Sequence, residues 1–196
     1  MSFGFWALDF LSKYMLLPQP FYDRKTLIVA QALLGKFLVR KIRKKIITGM
    51  ITETEAYFGP SDLASHASRG RTPRTELMFG PPGHAYIYMI YGMYYCLNVV
   101  TEKKDYPAAV LIRGIKIDGI DYGKTNGPGK LCKFLKIDTM LNGIDITVGN
   151  GRDRSLLWIE NRGIKIKSSQ ILRTPRIGVG YAGKYKDKKW RFILKK

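Results

Sequence analysis

Phe37 to Phe58 reads FLVRKIRKKIITGMITETEAYF, and the reading of this stretch decides the fold class. FLVRKI (37–42) and IITGMITETEAYF (46–58) are rich in β-branched residues and alternate apolar with polar, with the cationic Arg43 to Lys45 between them. Alternation with a period of two, bounded by a turn, marks strands that are half covered by a core. Two strands are therefore expected to pair here. Upstream, Leu27, Ala30, Gln31 and Leu34 share a helical face within residues 23–34, with Asp23 as N-cap and Gly35 as stop. Downstream, Gly59-Pro60-Ser61-Asp62 ends the second strand, and SRGRTPR (68–74) reads as a basic loop. AYIYMIYGMYYCLNVV (85–100) follows Pro81-Pro82-Gly83 and is interrupted only at Gly92, the pattern of a hairpin. A third run, AVLIRGIKI (109–117), comes after the turn KKDYP.

Gly127-Pro128-Gly129 opens KLCKFLKI (130–137), where Pro suits a first helical turn and Leu131, Phe134 and Leu135 fall on one face. DITVGN (145–150), LLWIENRGIKI (156–166) and RIGVGYAG (176–183) are strand-like and glycine-punctuated, ahead of the basic tail KYKDKKWRFILKK. Neither a repeat nor a linker interrupts the chain. Residues 1–196 are expected to form one mixed α/β (α+β) domain with a mostly antiparallel sheet and peripheral helices.

The 34 Lys and Arg outnumber the 15 Asp and Glu, so 34 − 15 leaves a net charge of +19 that points to a polyanionic partner. Nucleic acid is the natural candidate, because Lys and Arg displace condensed counterions from phosphates. The two cysteines, Cys96 and Cys132, lie outside any metal-ligand spacing, so neither a disulfide framework nor a zinc site is expected, and a reducing compartment fits. The first 20 residues are apolar but lack a basic start and are broken by Asp9, Lys13 and Pro18, which argues against a signal peptide. No uninterrupted apolar run reaches the roughly 18 residues of a membrane span, and a soluble protein is expected.

In ITETEAYF a period of two places Glu53, Glu55 and Tyr57 on one strand face. Such acids are either solvated on an exposed face or gathered for chemistry. The chain is poor in acids, yet two of them stand beside an aromatic residue and ahead of a basic loop. Tyr86 and Tyr95 read as core. Tyr91 neighbours Gly92 at the expected hairpin tip, where a projecting ring needs a partner such as a base stack. His66 is a surface or capping residue, or an imidazole that meets a base. Lys130 in GPGK is a candidate phosphate contact at a helix N-terminus. GPGK is not a nucleotide-binding loop, because Leu131 stands where Ser or Thr would hold magnesium.

ETEAYFGPSDLASH, RTPRTELMF, PGHAYIYMIYGMYYCLNVV and RIGVGYAG resemble the alkyladenine (3-methyladenine) DNA glycosylase family, in order and from about Leu27 to Phe192. Residues 1–17 match nothing in it. The resemblance implies a curved antiparallel sheet with a protruding hairpin that enters the minor groove of double-stranded DNA. It implies a monofunctional, monomeric repair enzyme that flips an alkylated purine out of the duplex and hydrolyses its bond to deoxyribose without metal or cofactor. Glu55 matches the base that activates water, with Arg113 and the backbone of Val179 beside that water. Tyr57 and Tyr88 match the residues that sandwich the flipped base, His66 lies opposite, and Asn98 matches the residue that rejects the amino group of normal guanine. Tyr91 and Met93 at the tip, with Arg71, Arg74 and Lys130, are the expected DNA contacts. The implied location is the cytoplasm in a bacterium or the nucleus in a eukaryote. Tyr181 departs from the histidine of some relatives, and the tail after Trp190 is short. A non-catalytic nucleic-acid-binding protein and a bifunctional glycosylase using a lysine Schiff base remain as other readings of the same residues.

Undamaged duplex should bind with a log–log salt slope of several units. Removing the charge of Arg71, Arg74 or Lys130 should each reduce that slope by about one where it contacts one phosphate, as measured by fluorescence anisotropy.

Overall fold

The computed structural model describes residues 15–148 and 156–195. Among them, nine strands form one sheet: β1 (Met15–Leu16), β2 (Phe37–Ile42), β3 (Lys45–Phe58), β4 (Ala85–Ile90), β5 (Tyr94–Val100), β6 (Ala108–Lys116), β7 (Leu157–Asn161), β8 (Ile171–Thr174) and β9 (Arg191–Leu194). The order is β1-β7-β2-β3-β6-β5-β4, with β9 also against β3 and β8 against β9, and every pairing between these strands is antiparallel. The expected pairing of 37–42 with the following strand is observed, from Phe37 opposite Met50 to Ile42 opposite Lys45. The hairpin pairs Ala85 with Val99 through Ile90 with Tyr94. Three short helices lie against the sheet: α1 (Gln19–Tyr22), α2 (Thr26–Ala32) and α3 (Pro128–Leu135).

Strand β3 is the spine. Its first half pairs with β2 on one side, residues Glu53–Glu55 pair with β9 on that same side, and β6 runs along the other side from Met50 to Phe58. The register with β6 is irregular between Ile51 and Thr54, and a bulge shifts which side chains face which way. Ile51 lies in the core, but so do Thr54 and Ala56, whose positions are of opposite parity. The bulge therefore moves Glu53, Glu55 and Tyr57 off the core face. Gly114 opposite the bulge has little room: an added Cβ would come within 3.0 Å of the Tyr122 hydroxyl and 3.2 Å of Thr52 Oγ1. The apolar face packs Val29, Ala30, Leu33 and Leu34 beside α2, and Leu131, Cys132 and Leu135 of α3, over Ile87, Leu97, Val99, Val110 and Ile112. The other face carries Tyr86, Tyr88, Cys96, Asn98, Leu111 and Arg113.

Four local expectations are corrected. Helix α2 begins at Thr26 and not after Asp23, which closes α1 instead. Its N-terminal amide is satisfied by the distant Glu102 carboxylate, 2.9 Å from the Thr26 nitrogen, a tertiary partner that no local pattern reveals. RIGVGYAG forms turns and no strand, because Gly178 and Gly183 take positive φ, the Ile177 amide donates to the Glu55 side chain and the Arg176 side chain donates to the Ala56 carbonyl of β3. Residues 145–148 contribute only an isolated bridge, Asp145 with His84, while 149–150 and the first 14 residues of the extension 1–17 lie outside the described residues. Finally, the basic tail holds β9, which completes the sheet beside Glu53 and Glu55.

Gly83 has φ +86, and a Cβ there would overlap the Thr147 methyl group. Gly83→Ala should lower unfolding free energy by roughly 1–3 kcal/mol in denaturant titration. Gly92→Ala, at φ +67 with nothing within 4 Å, should cost less.

Candidate active site

A cavity of about 410 Å3 opens on the sheet face opposite the core, within the range of small-molecule sites. Tyr57 of β3, Tyr86 and Tyr88 of β4, Asn98 of β5 and Arg113 of β6 supply its sheet wall. His66, in a 3-10 turn at His66–Arg69, and the loop segment Ile177, Gly178, Val179 close it. The expected site residues Tyr57, His66, Tyr88, Asn98, Arg113 and Val179 are thus brought to one place.

Glu55 sits behind this wall, fully buried. The Tyr57 hydroxyl donates to its Oε2 at 2.8 Å, the Ile177 amide donates to its Oε1 at 2.9 Å, and Arg113 Nε lies 3.5 Å from Oε1. Burial pushes the Glu55 carboxyl above the usual carboxylate range; Arg113, the Ile177 amide and Tyr57 pull it partly back. The two hydrogen-bond donors, one on each oxygen, leave lone pairs free. Glu53 accepts from Arg113 Nε at 2.9 Å and from Arg191 Nε at 2.6 Å. Both acids are buried, so the picture of a solvated acidic face fails: Arg113 and Arg191 meet Glu53, and Tyr57 and Ile177 meet Glu55.

The aromatic wall is closely packed. The His66 and Tyr88 rings meet edge to face at 4.6 Å, Tyr86 and Tyr88 are 5.3 Å apart, and His66 Nδ1 lies 3.2 Å from the Tyr86 hydroxyl. Burial, then the Arg74 and Arg69 charges, push the His66 imidazole down to about 4, so it is neutral near pH 7. Asn98 Nδ2 donates to the Tyr86 and Cys96 carbonyls at 3.1 and 3.3 Å, which fixes its amide orientation. Tyr86 is buried as expected, and Tyr95 is half-buried against the core. At the hairpin turn Tyr91 and Gly92 both have positive φ, 52° and 67°. Tyr91 is 86% exposed and Met93 65%.

The three expected phosphate contacts differ. Lys130 is exposed at the start of α3. Arg74 lines the cavity with its guanidinium 5.2 Å from the Tyr88 ring. Arg71 is already engaged by Glu76 at 2.7 Å and Asp105 at 3.3 Å on the surface. Among the described residues, no lysine lines the cavity, no cluster of three His, Cys, Asp or Glu is placed for a metal, and no helix is long and apolar enough to cross a membrane.

Sequence reasoning missed Ile177, Asp62, Arg176 and Arg191. Asp62 and Arg176 form a buried ion pair with Nη1 to Oδ2 at 2.6 Å. The local pattern marks Asp62 only as part of the turn that ends the strand, although an acid in so basic a chain is a usable signal. The Ile177 contact is made by backbone, which no side-chain pattern exposes.

The fold carries an aromatic cavity backed by a buried carboxylate, and comparison with known proteins shows its family. Residues 20–196 match the family model for methylpurine-DNA glycosylase (MPG). A protein of Methanocella arvoryzae, provisionally assigned as a 3-methyladenine DNA glycosylase, is 48% identical over 91% of this chain and 92% of its own length. Proteins with the same provisional assignment from Rickettsia felis and Ehrlichia chaffeensis are 44% and 48% identical, over 94% and 92% of this chain and 96% and 94% of their own lengths. The chain belongs to the methylpurine-DNA glycosylase family.

Glu53 joins two arginines that are largely covered, so Glu53→Ala should cost about 3–5 kcal/mol by leaving buried charge unpaired. Glu53→Gln should cost less, since its amide oxygen still accepts. Thermal melting distinguishes the two.

Proposed function

We propose that this protein is a monofunctional DNA glycosylase that excises alkylated purines of the 3-methyladenine class from double-stranded DNA. The observation that carries the reading is the placement of Glu55: a buried carboxylate, bonded to Tyr57 and Ile177 and close to Arg113, immediately behind an aromatic cavity.

The target base must leave the helix to be reached. Extrusion costs a few kcal/mol, least where damage has weakened pairing. Stacking offsets this at about 1–3 kcal/mol per base, and Tyr57 and Tyr88, with His66 opposite, supply the surfaces. A purine alkylated at N3 or N7 is cationic and is attracted to tyrosine faces. The neutral imidazole of His66 adds no like charge against it. Asn98, its amide fixed by two carbonyls, stands against the amino group of normal guanine, which lacks the positive charge that draws an alkylated purine to the tyrosine faces.

For the chemical step, Glu55 takes a proton from water held near Arg113 and the Val179 backbone. The water oxygen bonds to the anomeric carbon, and the glycosidic electron pair leaves with the purine. The positive charge of an alkylated base makes it a good leaving group, and general-base catalysis adds typically 10²- to 10⁴-fold. The absence of lysine from the described cavity wall favours water over a Schiff base as nucleophile. Outside the cavity, the hairpin protrudes into the minor groove, with Tyr91 filling the gap left by the flipped nucleotide and Met93 beside it. Arg74 and Lys130 meet phosphates, and Arg71 can do so only by leaving Glu76 and Asp105. The protein acts as a monomer and as one domain.

Glu55→Gln should retain binding to duplex containing 3-methyladenine, 7-methylguanine, hypoxanthine or ethenoadenine but release no base, as read by alkaline cleavage at abasic sites. Near-normal release would falsify the assignment and leave a non-catalytic binding protein. In the wild type, Glu55 must be ionised to act, and its carboxyl is raised by burial. Release should therefore fall with falling pH through a limb lying above the ordinary glutamate value of about 4.3.

A further inference from the structure

The ion pair between Arg176 and Asp62 lies entirely out of solvent, with side chains 0% and 1% exposed, and neither residue is part of the cavity wall. Taking two charges from water costs several kcal/mol per ion, and an apolar pair of the same size is often at least as stable. Stability alone is a weak reason for such a pair. Its connections suggest another. Arg176 Nη1 donates to Asp62 Oδ2 at 2.6 Å and to the Ala56 carbonyl of β3 at 2.8 Å, and Nη2 donates to Asp62 Oδ1 at 2.8 Å. The guanidinium lies 4.6 Å from the centre of the Tyr57 ring and 4.9 Å from that of Trp190. Its Nε is buried without a hydrogen-bond partner, so the group is seated against rings at the expense of one donor. The next residue, Ile177, gives its amide to Glu55, and Val179, two residues on, lines the cavity.

We propose that Arg176, clamped by Asp62, is a positioning residue for both halves of the site: it holds the Ile177 amide against Glu55 and backs the Tyr57 ring. The inference rests on Glu55 being the base. The loop is turn structure without a ladder of its own, and Gly178 at φ +76 gives it freedom, so an anchor at its start sets where the amide stands. Arg suits the task where Lys does not. Its planar fork meets Asp62 with two nitrogens while one of them also reaches the Ala56 carbonyl, and it can lie flat on aromatic faces. When the anchor is lost, Glu55 loses a donor that favours its ionised form, and the stacking ring loses its support.

The test is single-turnover release across pH from a lesion duplex, with melting temperatures, for Arg176→Lys and for the neutral pair Asp62→Asn with Arg176→Gln. The double variant removes both charges and strands neither. Both should release base on the order of 100-fold more slowly, the loss typical of a small misplacement of catalytic groups. Both should also shift the acid limb to higher pH and leave affinity for undamaged duplex unchanged. In the wild type, hydrogen exchange at the Ile177 amide should be as slow as in β3. Fast exchange there would overturn the proposal without any variant, and so would a variant whose rate and acid limb return to wild type once its melting temperature does. Glu55→Gln in the same assay separates the two claims. Release that survives Glu55→Gln removes the base itself, whereas wild-type kinetics in the Arg176 variants beside an inert Glu55→Gln remove only the clamp.

Discussion

The bulge in β3 at Thr52 and Glu53 is the constraint on which the rest of the structure depends. A strand alternates its side chains strictly, so a strand that is apolar at Ile47 and Ile51 would bury Glu53, Glu55 and Tyr57 in the same core. Desolvating two carboxylates there, without partners, is prohibitive. One irregular step moves them to the opposite face while Thr54 and Ala56 take over the apolar side. Arg113 on β6, where register also shifts, is delivered beside both acids by the same irregularity. Gly114 permits it because its Cα can approach Thr52 and Tyr122 closely.

Once on that face, the two acids meet different surroundings and are suited to different work. Glu53 is tied to two arginine Nε groups and behaves as a cross-link between β3, β6 and β9. Glu55 is met by one hydroxyl and one amide, with a guanidinium at 3.5 Å, and burial holds its carboxyl above the usual range. A base is most effective when its proton affinity is raised toward the working pH while it remains ionised. Burial supplies the first condition. The donors around Glu55 supply the second.

The hairpin shows a division along one element. Near its base, Tyr86 and Asn98 are buried and joined by hydrogen bonds, so the cavity wall is rigid. At its tip, two consecutive residues with positive φ form the tight turn that suits the right-handed twist of paired strands. That geometry is unfavourable for a tyrosine, and it leaves the Tyr91 ring in solvent. Exposure of a large ring on a strained backbone is costly in a free protein and is consistent with a surface built for a partner.

By itself the sequence determined the antiparallel strands from Phe37 to Phe58 and from Ala85 to Val100, because alternation with a period of two and a turn between runs are local properties. It also determined that Glu53, Glu55 and Tyr57 share a face, that Tyr91 stands at a tip, and, through the resemblance of whole motifs, which residues would gather in one site. Only the tertiary structure decided that both acids are buried. Glu53 is met by Arg191 of β9, which lies in a tail that reads as a basic run and joins β3 from more than a hundred residues away, and Glu55 by the loop at Ile177. The same holds for the Glu102 cap on α2, the Ile177 amide on Glu55 and the Arg176–Asp62 pair. Each joins groups far apart in the chain, and two of them use backbone amides that are identical at every residue. Composition marks Asp62 as one of few acids, but neither composition nor spacing names the partner in any of these contacts, because what selects it is the position at which the chain returns to the sheet.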